Sequence, residues 1–290
     1  MGLSWQQGPL SPKAAGRFLV PAPLPERLLF AEPLRRRMRA LHGGAWVADS
    51  EDVVLLHEPN RYPVAYFPRG DVIPVGLERE ETVTRHQDLG PVRWFTIRAG
   101  SRVTPRGAWQ HSDLPAHANE LEGRVAFAWR AMDAFYEEDE RIVGHAADSY
   151  HRNDIRQTSR HLVVTAGRQV IADTTSPLVL YESGFAPRWY VRREDVDQSA
   201  LTPVDGQTFC PYKGLANYYD IGDARRAGWS YRNAWAEVSR IADLVSFEPD
   251  KVCVQIDDNP LRPEPGQAVI AHGIDRDLGV DEGIPHHLVR

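Results

Sequence analysis

The sequence contains one segment written twice. When residues 36–97 are laid on residues 160–221, a gapless shift of 124 positions, 15 of the 62 aligned pairs are identical. Unrelated sequences share roughly 6% of aligned residues, so about four identities are expected by chance. After a shortening of four residues the match resumes at a shift of 120, where Trp109 meets Trp229. The chain is therefore predicted to be an internal duplication of one domain.

The limits of the repeat suggest how the chain is organised. We expect an N-terminal lead-in over 1–35, a first repeat over 36–140, a linker over 141–159, a second repeat over 160–258 and a tail over 259–290. The lead-in is rich in proline and the tail in proline and glycine, a composition typical of loosely ordered segments.

Each repeat is predicted to be mainly β with minor α. In the second copy, residues 161–165 and 169–172 flank Ala166-Gly167-Arg168, a sequence typical of a hairpin turn. The other segments rich in β-branched or aromatic residues are 177–181, 189–191, 217–221 and 251–256. The last of these alternates with period two, and we expect Cys253 to point inward on it. The best helical stretch is 234–244, equivalent to 116–121. Long helices do not alternate with the strands, which excludes a doubly wound α/β fold.

Composition excludes several classes of protein. A net charge of −6 and a pI near 6.0 argue against a nucleic-acid partner, which favours a basic surface. No apolar run approaches the ~20 residues that cross a bilayer, and the first residues lack the pattern of a secretory signal. Two cysteines cannot form a disulfide framework or a four-thiolate zinc site. We expect a soluble, cytoplasmic protein with no membrane partner, and its cofactors and oligomeric state stay open.

The strongest candidate for chemistry is Cys210-Pro211-Tyr212-Lys213-Gly214. Proline and glycine favour a tight turn that would hold Cys210 and Lys213 on the same side of a loop. A nearby ammonium favours a thiolate and lowers the pKa of a thiol, as a nucleophile requires. Lys213 is one of three lysines beside 31 arginines, which suggests a specific role for its amine. The alternative is a structural turn in which Lys213 pairs with an acid such as Glu182.

Further candidates surround this motif. Arg188 stands where the first copy has Val64, so we consider it a bidentate anchor for an anionic substrate. Glu182 and Tyr190 recur in the first copy, which favours a structural role beside the substrate-binding one. The aromatic residues could wall a pocket or fill the core; they are Tyr212, Trp229 and Tyr231.

Two weaker patterns involve histidines. His86 occupies the position of Cys210 in the first copy, and it could form a thiolate–imidazole pair with Cys210 if the copies face each other. The acidic run 137–140 with His145 and His151 has carboxylates and imidazoles but no compact ligand spacing, so we predict a solvated linker and no metal.

These segments resemble a known family. The sequences Tyr181-Glu182-Ser183-Gly184, Pro187-Arg188-Trp189-Tyr190, Arg193-Glu194-Asp195-Val196, Trp229-Ser230-Tyr231 and the motif at 210–214 are similar to the signature of the bacterial "domain of unknown function 427". The first copy departs from it, with His86-Gln87-Asp88-Leu89-Gly90 at the motif. The resemblance covers about residues 36–258 and implies a compact, mainly β domain without a defined activity. A nucleotidyltransferase-like label accompanies the family, but the sequence has neither a Walker loop nor a glycine fingerprint after a strand.

Two functions therefore remain open. The first is an enzyme that acts on a small anionic metabolite, with Cys210 as nucleophile, Lys213 as its activator and Arg188 as substrate anchor. The second is a non-catalytic small-molecule-binding or scaffold protein whose motif shapes a turn.

Overall fold

The computed structural model describes residues 9–11, 14, 25–59, 61–73 and 76–262. They form two compact units: unit 1 ends at Asp148 and unit 2 begins at Ser149. The described residues are mainly β, and their helices are short 3₁₀ segments. The predicted tail beyond 262 and most of the predicted lead-in lie outside the described residues.

Unit 1 contains a seven-stranded and a four-stranded antiparallel sheet. Its strands are β1 Phe30–Pro33, β2 Met38–His42, β3 Ala45–Ser50, β4 Val54–His57, β5 Val64–Pro68, β6 Leu77–His86, β7 Gly90–Ala99, β8 Arg102–His111, β9 Arg124–Phe127, β10 Ala134–Glu137 and β11 Glu140–Ile142. The large sheet has the order β1-β4-β5-β9-β8-β7-β6, and the small sheet has the order β11-β10-β2-β3.

Unit 2 repeats this arrangement. Its strands are β12 Asn153–Gln157, β13 Leu162–Ala166, β14 Gln169–Thr174, β15 Leu178–Glu182, β16 Arg188–Val191, β17 Leu201–Cys210, β18 Gly214–Ile221, β19 Ala224–Ser230, β20 Val245–Phe247, β21 Cys253–Ile256 and β22 Asn259–Pro260. The large sheet has the order β12-β15-β16-β20-β19-β18-β17, and the small sheet β14-β13-β21-β22. The long strands β6 and β17 begin and end 124 positions apart, so the internal duplication is confirmed in three dimensions.

The central strands of the large sheet in each unit are buried on both faces, whereas the edge strand β6 is mostly exposed. One face packs on the small sheet, with Phe67 and Met38 in the core of unit 1 and Val191 and Leu162 in that of unit 2. The opposite face, here called the outer face, is covered by a short 3₁₀ helix at 116–121 in unit 1 and 236–241 in unit 2. Because both faces are buried, central strands such as β4 and β5 are almost continuously apolar.

Most of the strands predicted for the second copy are present, with two instructive differences. The predicted helix over 234–244 is a 3₁₀ segment at Ala236–Ile241, with a non-helical residue, Val238, inside it. The expectation that Cys253 points inward is wrong, since Cys253 is exposed while Val252 and Val254 on either side are buried.

The acidic run lies within unit 1 and is not a free linker. Glu137 ends β10, Glu140 begins β11, and Glu138 between them has φ +50° in the hairpin turn. Glu137 is buried and accepts a hydrogen bond from Arg36 at 2.7 Å. No helix among the described residues has the length and apolar character needed to cross a membrane.

Candidate functional site

The Cys210–Gly214 motif forms the turn of the hairpin between β17 and β18. Cys210 and Gly214 are cross-strand partners, and the Lys213 N–H donates to the Cys210 carbonyl at 3.2 Å. Gly214 has φ +97°, a conformation that side chains disfavour, and an added Cβ would lie 3.2 Å from the Asn233 carbonyl oxygen. The predicted tight turn is confirmed.

The Lys213 ammonium is bound to a buried carboxylate. Its Nζ donates to Oε1 of Glu182 at 2.5 Å, and the two side chains are only 8% and 10% exposed. His151 Nε2 lies 3.0 Å from the same oxygen, and its ring stacks on Tyr212 with centroids 3.6 Å apart. Glu182, the last residue of β15, therefore joins the hairpin turn to the segment before β12.

This pair is ionised despite its burial. Burial alone would raise the pKa of Glu182, but the Lys213 ammonium and the hydrogen bond from His151 lower it to about 2. Burial would likewise lower the pKa of Lys213, but its interactions with Cys210 and with the Glu182 carboxylate raise it above its ordinary value. Two opposite charges in contact thus compensate for the loss of water.

The pKa of Cys210 shifts opposite to the sequence expectation. Burial raises the pKa of the thiol, and Glu182 adds to the rise, whereas Lys213 and the Tyr212 N–H lower it only in part. Desolvation therefore outweighs the nearby ammonium, which Glu182 also binds, and the surroundings of Cys210 favour the thiol over the thiolate.

The predicted aromatic residues pack on the outer face of unit 2. Tyr190, Trp229 and Tyr231 are buried in one apolar cluster, and the rings of Tyr190 and Trp229 meet edge to face at 6.4 Å. Burial raises the pKa of Tyr190 to about 12, so its hydroxyl stays protonated. These rings contribute to the core of the unit in this arrangement.

Arg188 is also paired with a carboxylate. Its Nη1 lies 3.4 Å from Oε2 of Glu248, which is buried, and its guanidinium lies 5.4 Å from the Trp229 ring centroid. At the equivalent positions, unit 1 has Val64 and Ala128. Both members of the pair are therefore replaced together by small apolar residues.

Unit 1 contains the same buried carboxylate with different partners. Glu58, equivalent to Glu182, accepts hydrogen bonds from His86 Nε2 at 2.8 Å and Arg27 Nη2 at 3.2 Å. The shift of 124 positions places Arg27 on His151 and His86 on Cys210. Hydrogen-bond donors thus approach the glutamate from position 27 or 151 and from the hairpin turn in both units.

The donor from the turn comes from a different position in each unit. In unit 2 it is Lys213, the fourth motif residue, and in unit 1 it is His86, equivalent to the first. The other position then carries an uncharged group, Cys210 in unit 2 and the buried Leu89 in unit 1. The group that binds the glutamate therefore stands at the fourth motif position in unit 2 and at the first in unit 1.

In both units, backbone N–H groups of the turn are directed to the side chain of the first motif residue. His86 Nδ1 accepts hydrogen bonds from the N–H groups of Asp88 and Leu89, each at 3.1 Å, so its Nε2 carries the proton donated to Glu58. In unit 2 the Tyr212 N–H, equivalent to that of Asp88, is directed to the Cys210 sulfur. The thiol therefore occupies the acceptor place of an imidazole nitrogen.

Sequence reasoning missed three contributors to these clusters. They are His151, Glu248 and Arg27. Extending the repeat alignment upstream of residue 36 would have paired Arg27 with His151, two basic residues at one position. Nothing in the spacing pointed to Glu248. His86 and Cys210 lie in different units, so their pairing across an interface stays a prediction. Among the described residues, no cluster of three or more metal-ligating side chains is present.

Each unit also has a shallow cleft lined by residues of both its sheets. The cleft of unit 1 includes about 330 Å³ of empty space and that of unit 2 about 260 Å³, counting the part open to solvent. Residues 63–65 and 127 line the first, and the equivalent residues 187–189 and 247 line the second. Neither cleft is lined by Cys210 or Lys213.

Comparison with known proteins agrees with the duplicated architecture. A family model described as Domain of unknown function (DUF427) matches residues 30–138 and 154–258. Each match covers most of one unit and includes the edge strand, β1 or nearly all of β12, that lies before the predicted repeat. No curated protein matches the chain.

Proposed function

Since this chain belongs to the family described as Domain of unknown function (DUF427), a description that names no activity, we propose from the geometry of its units that it is a non-catalytic small-molecule-binding protein. Its Cys210–Gly214 motif is a structural turn. The observation that carries this proposal is the 2.5 Å contact between Lys213 and Glu182. An ammonium already neutralised by a buried carboxylate neither generates a thiolate nor offers a free charge to a substrate.

The comparison of the two units supports a structural role for the motif. Unit 1 has neither the thiol nor the lysine, yet it has the same hairpin and the same buried glutamate, bound by His86. A catalytic pair could not be exchanged for histidine and leucine without losing its chemistry. A pair that serves to bind a buried carboxylate can be exchanged in this way.

The binding part of the proposal rests on the clefts. An equivalent opening persists in both units although its lining side chains differ. Small-molecule sites are typically concave and mostly apolar, as are these linings. Because Arg188 is paired with Glu248, the ligand is expected to be largely apolar, whereas the sequence suggested an anionic one.

One observation favours the alternative, an enzyme with Cys210 as nucleophile. The Lys213 ammonium and the Tyr212 N–H both interact with the Cys210 sulfur, as an activated thiol would require. A single experiment separates the two functions. We would measure the rate of alkylation of Cys210 against pH in the folded full chain by mass spectrometry. The exposed Cys253 serves as the reactive reference in the same molecule.

For a structural turn, Cys210 reacts much more slowly than Cys253 from pH 6 to 9 and reaches the rate of Cys253 only on unfolding. Lys213→Met then lowers the melting temperature. A Cys210 that reacts faster than Cys253 near pH 6, and that Lys213→Met silences without unfolding the protein, would overturn the proposal and favour the nucleophile.

A further inference from the structure

The cleft of unit 1 is walled mainly by aromatic rings. Of the nine described residues that line it, six are aromatic: Tyr62, Trp109, Phe127, Trp129, Phe135 and His145. The other three, Pro63, Val64 and Ala65, are apolar. We call this group the aromatic cleft. It lies between strands of the large sheet and β10 of the small sheet.

Four of these rings are held in two stacked pairs. Tyr62 and His145 stack with centroids 4.1 Å apart and planes 17° apart, and Trp129 and Phe135 stack at 4.0 Å and 15°. His145 is buried, and its Nδ1–H donates to the Ala146 carbonyl at 2.6 Å. Packing and hydrogen bonding therefore fix the flat walls before any ligand arrives, which reduces the entropic cost of binding.

The aromatic character is specific to unit 1. At the positions of Tyr62 and Trp129, unit 2 has alanine and proline. Val254 takes the place of Phe135, because it pairs with Val164 as Phe135 pairs with the equivalent Ala40. Arg188 and Trp189 extend from β16 into the lining of unit 2 instead. The recurrence of the opening is thus a property of the fold, whereas the aromatic lining is a property of this copy.

The lining also defines the charge of the ligand. The described residues that line the cleft include neither a carboxylate nor a lysine or arginine side chain. An anion entering it would lose its hydration without gaining a counter-charge. A cation would find one face of four of the rings already covered by stacking, which weakens its attraction to them. A flat uncharged ring, in contrast, buries apolar area against the walls and can pack edge-to-face or offset-stacked on them.

We propose that the aromatic cleft of unit 1 binds an uncharged planar aromatic molecule of about the size of indole. This inference rests on the proposed binding function and names its ligand class. The ring would lie against Trp129 and Tyr62, which with Trp109 are the half-buried rings of the lining, and Val64 lines the cleft at the position that Arg188 occupies in unit 2.

The test is fluorine NMR of three probes with the full-length protein: fluoroindole, fluorobenzoate and fluorophenyl-trimethylammonium, which are neutral, anionic and cationic. We expect only fluoroindole to bind. Tyr62→Ala, which gives this position its unit 2 residue, and Trp129→Leu should each weaken binding about tenfold, equivalent to about 1.4 kcal/mol. Trp235→Leu, which removes a 43% exposed indole outside the cleft, should leave it unchanged. Circular dichroism verifies the fold of each variant.

Several outcomes would overturn the inference. Fluoroindole affinity that is equal in Tyr62→Ala, Trp129→Leu and the unmodified protein would place the ligand elsewhere, while binding itself would still agree with the proposed function. Cleft-dependent binding of a charged probe alone would refute the neutral ligand class. Absence of binding by all three probes would refute the site. Failure of the proposed function itself is recognised separately, by the reactivity of Cys210.

Discussion

If the first and fourth motif positions can each supply the donor that binds the buried glutamate, a second substitution should recover the stability that is lost when the donor of unit 2 is removed. Lys213→Leu gives unit 2 the residue that unit 1 has at this position and leaves Glu182 buried with His151 alone. Removing one member of a buried ion pair costs about 3–5 kcal/mol because the remaining charge loses its partner. The pKa of about 2 for Glu182, against an ordinary 4.5, corresponds to ~3 kcal/mol of preference for the ionised form at neutral pH. Since His151 supplies part of that preference and remains in the variant, we expect Lys213→Leu to cost ~3 kcal/mol, the lower end of the range for a broken pair.

The second substitution, Cys210→His, restores a donor from the position that His86 uses in unit 1. We expect the double variant Lys213→Leu/Cys210→His to recover at least ~1 kcal/mol, the usual size of coupling between residues in contact. Recovery is incomplete because unit 2 has His151 where unit 1 has Arg27. Adding His151→Arg should therefore increase it.

The assay must separate the units. Hydrogen exchange followed by mass spectrometry reports the opening free energy of peptides from β17 and β18 without interference from unit 1. As a control, Lys213→Leu/Glu182→Gln removes both charges and should be more stable than Lys213→Leu alone. A double variant Lys213→Leu/Cys210→His no more stable than Lys213→Leu would refute the exchange, and we would then assign His86 and Lys213 unrelated roles.

Three further predictions concern a buried histidine, a buried ion pair and the hairpin turn. Burial, with a contribution from His86, lowers the pKa of His111 to about 4 from 6.5. Between these two pKa values the unfolded chain binds a proton that the folded unit does not, so unit 1 should lose ~3 kcal/mol of stability from pH 6.5 to 4. His111→Tyr, which gives this position its unit 2 residue, should remove this loss when stability is measured by urea unfolding. A variant with the same pH profile as the unmodified protein would contradict the prediction. Arg188→Val should lower the melting temperature because it leaves the Glu248 carboxylate buried without its partner, and the double variant Arg188→Val/Glu248→Ala should recover most of the lost melting temperature. If the single and the double variant lose the same amount, the two residues are not a compensated pair. Gly214→Ala should cost ~1–2 kcal/mol in denaturant unfolding because of its positive φ, whereas alanine at Gly228, which has ordinary contacts, should cost less.

The duplication and the short strands could be predicted from the sequence because each depends on local pattern. The turn after Ala166 and the strands around Leu180 and Tyr190 follow from apolar runs between glycines and prolines. The sequence does not predict strand β17 because Pro203, Asp205 and Gly206 interrupt its pattern. The structure accommodates Asp205 and Gly206 where the pairing with β18 shifts register, whereas Pro203 pairs with Tyr219.

The electrostatics of the site could be predicted only in part. The sequence allowed Lys213 to serve either Cys210 or Glu182, and the choice depends on which group is closer and how deeply both are buried. Spacing along the chain contains neither quantity. Likewise, period-two alternation gives two equivalent orientations of β21, and the one chosen for Cys253 was the wrong one.

The exchange at the hairpin turn has a consequence for how such proteins are recognised. A search for the letters Cys-Pro-Tyr-Lys-Gly finds one match in this chain and treats the first half as having lost it. In terms of balanced charge, however, both halves satisfy the same requirement: a buried acid, a proton donor from the turn, and an uncharged residue at the remaining turn position. The duplicated domain preserves the charge balance around a buried acid, and two different sequences of the turn provide it.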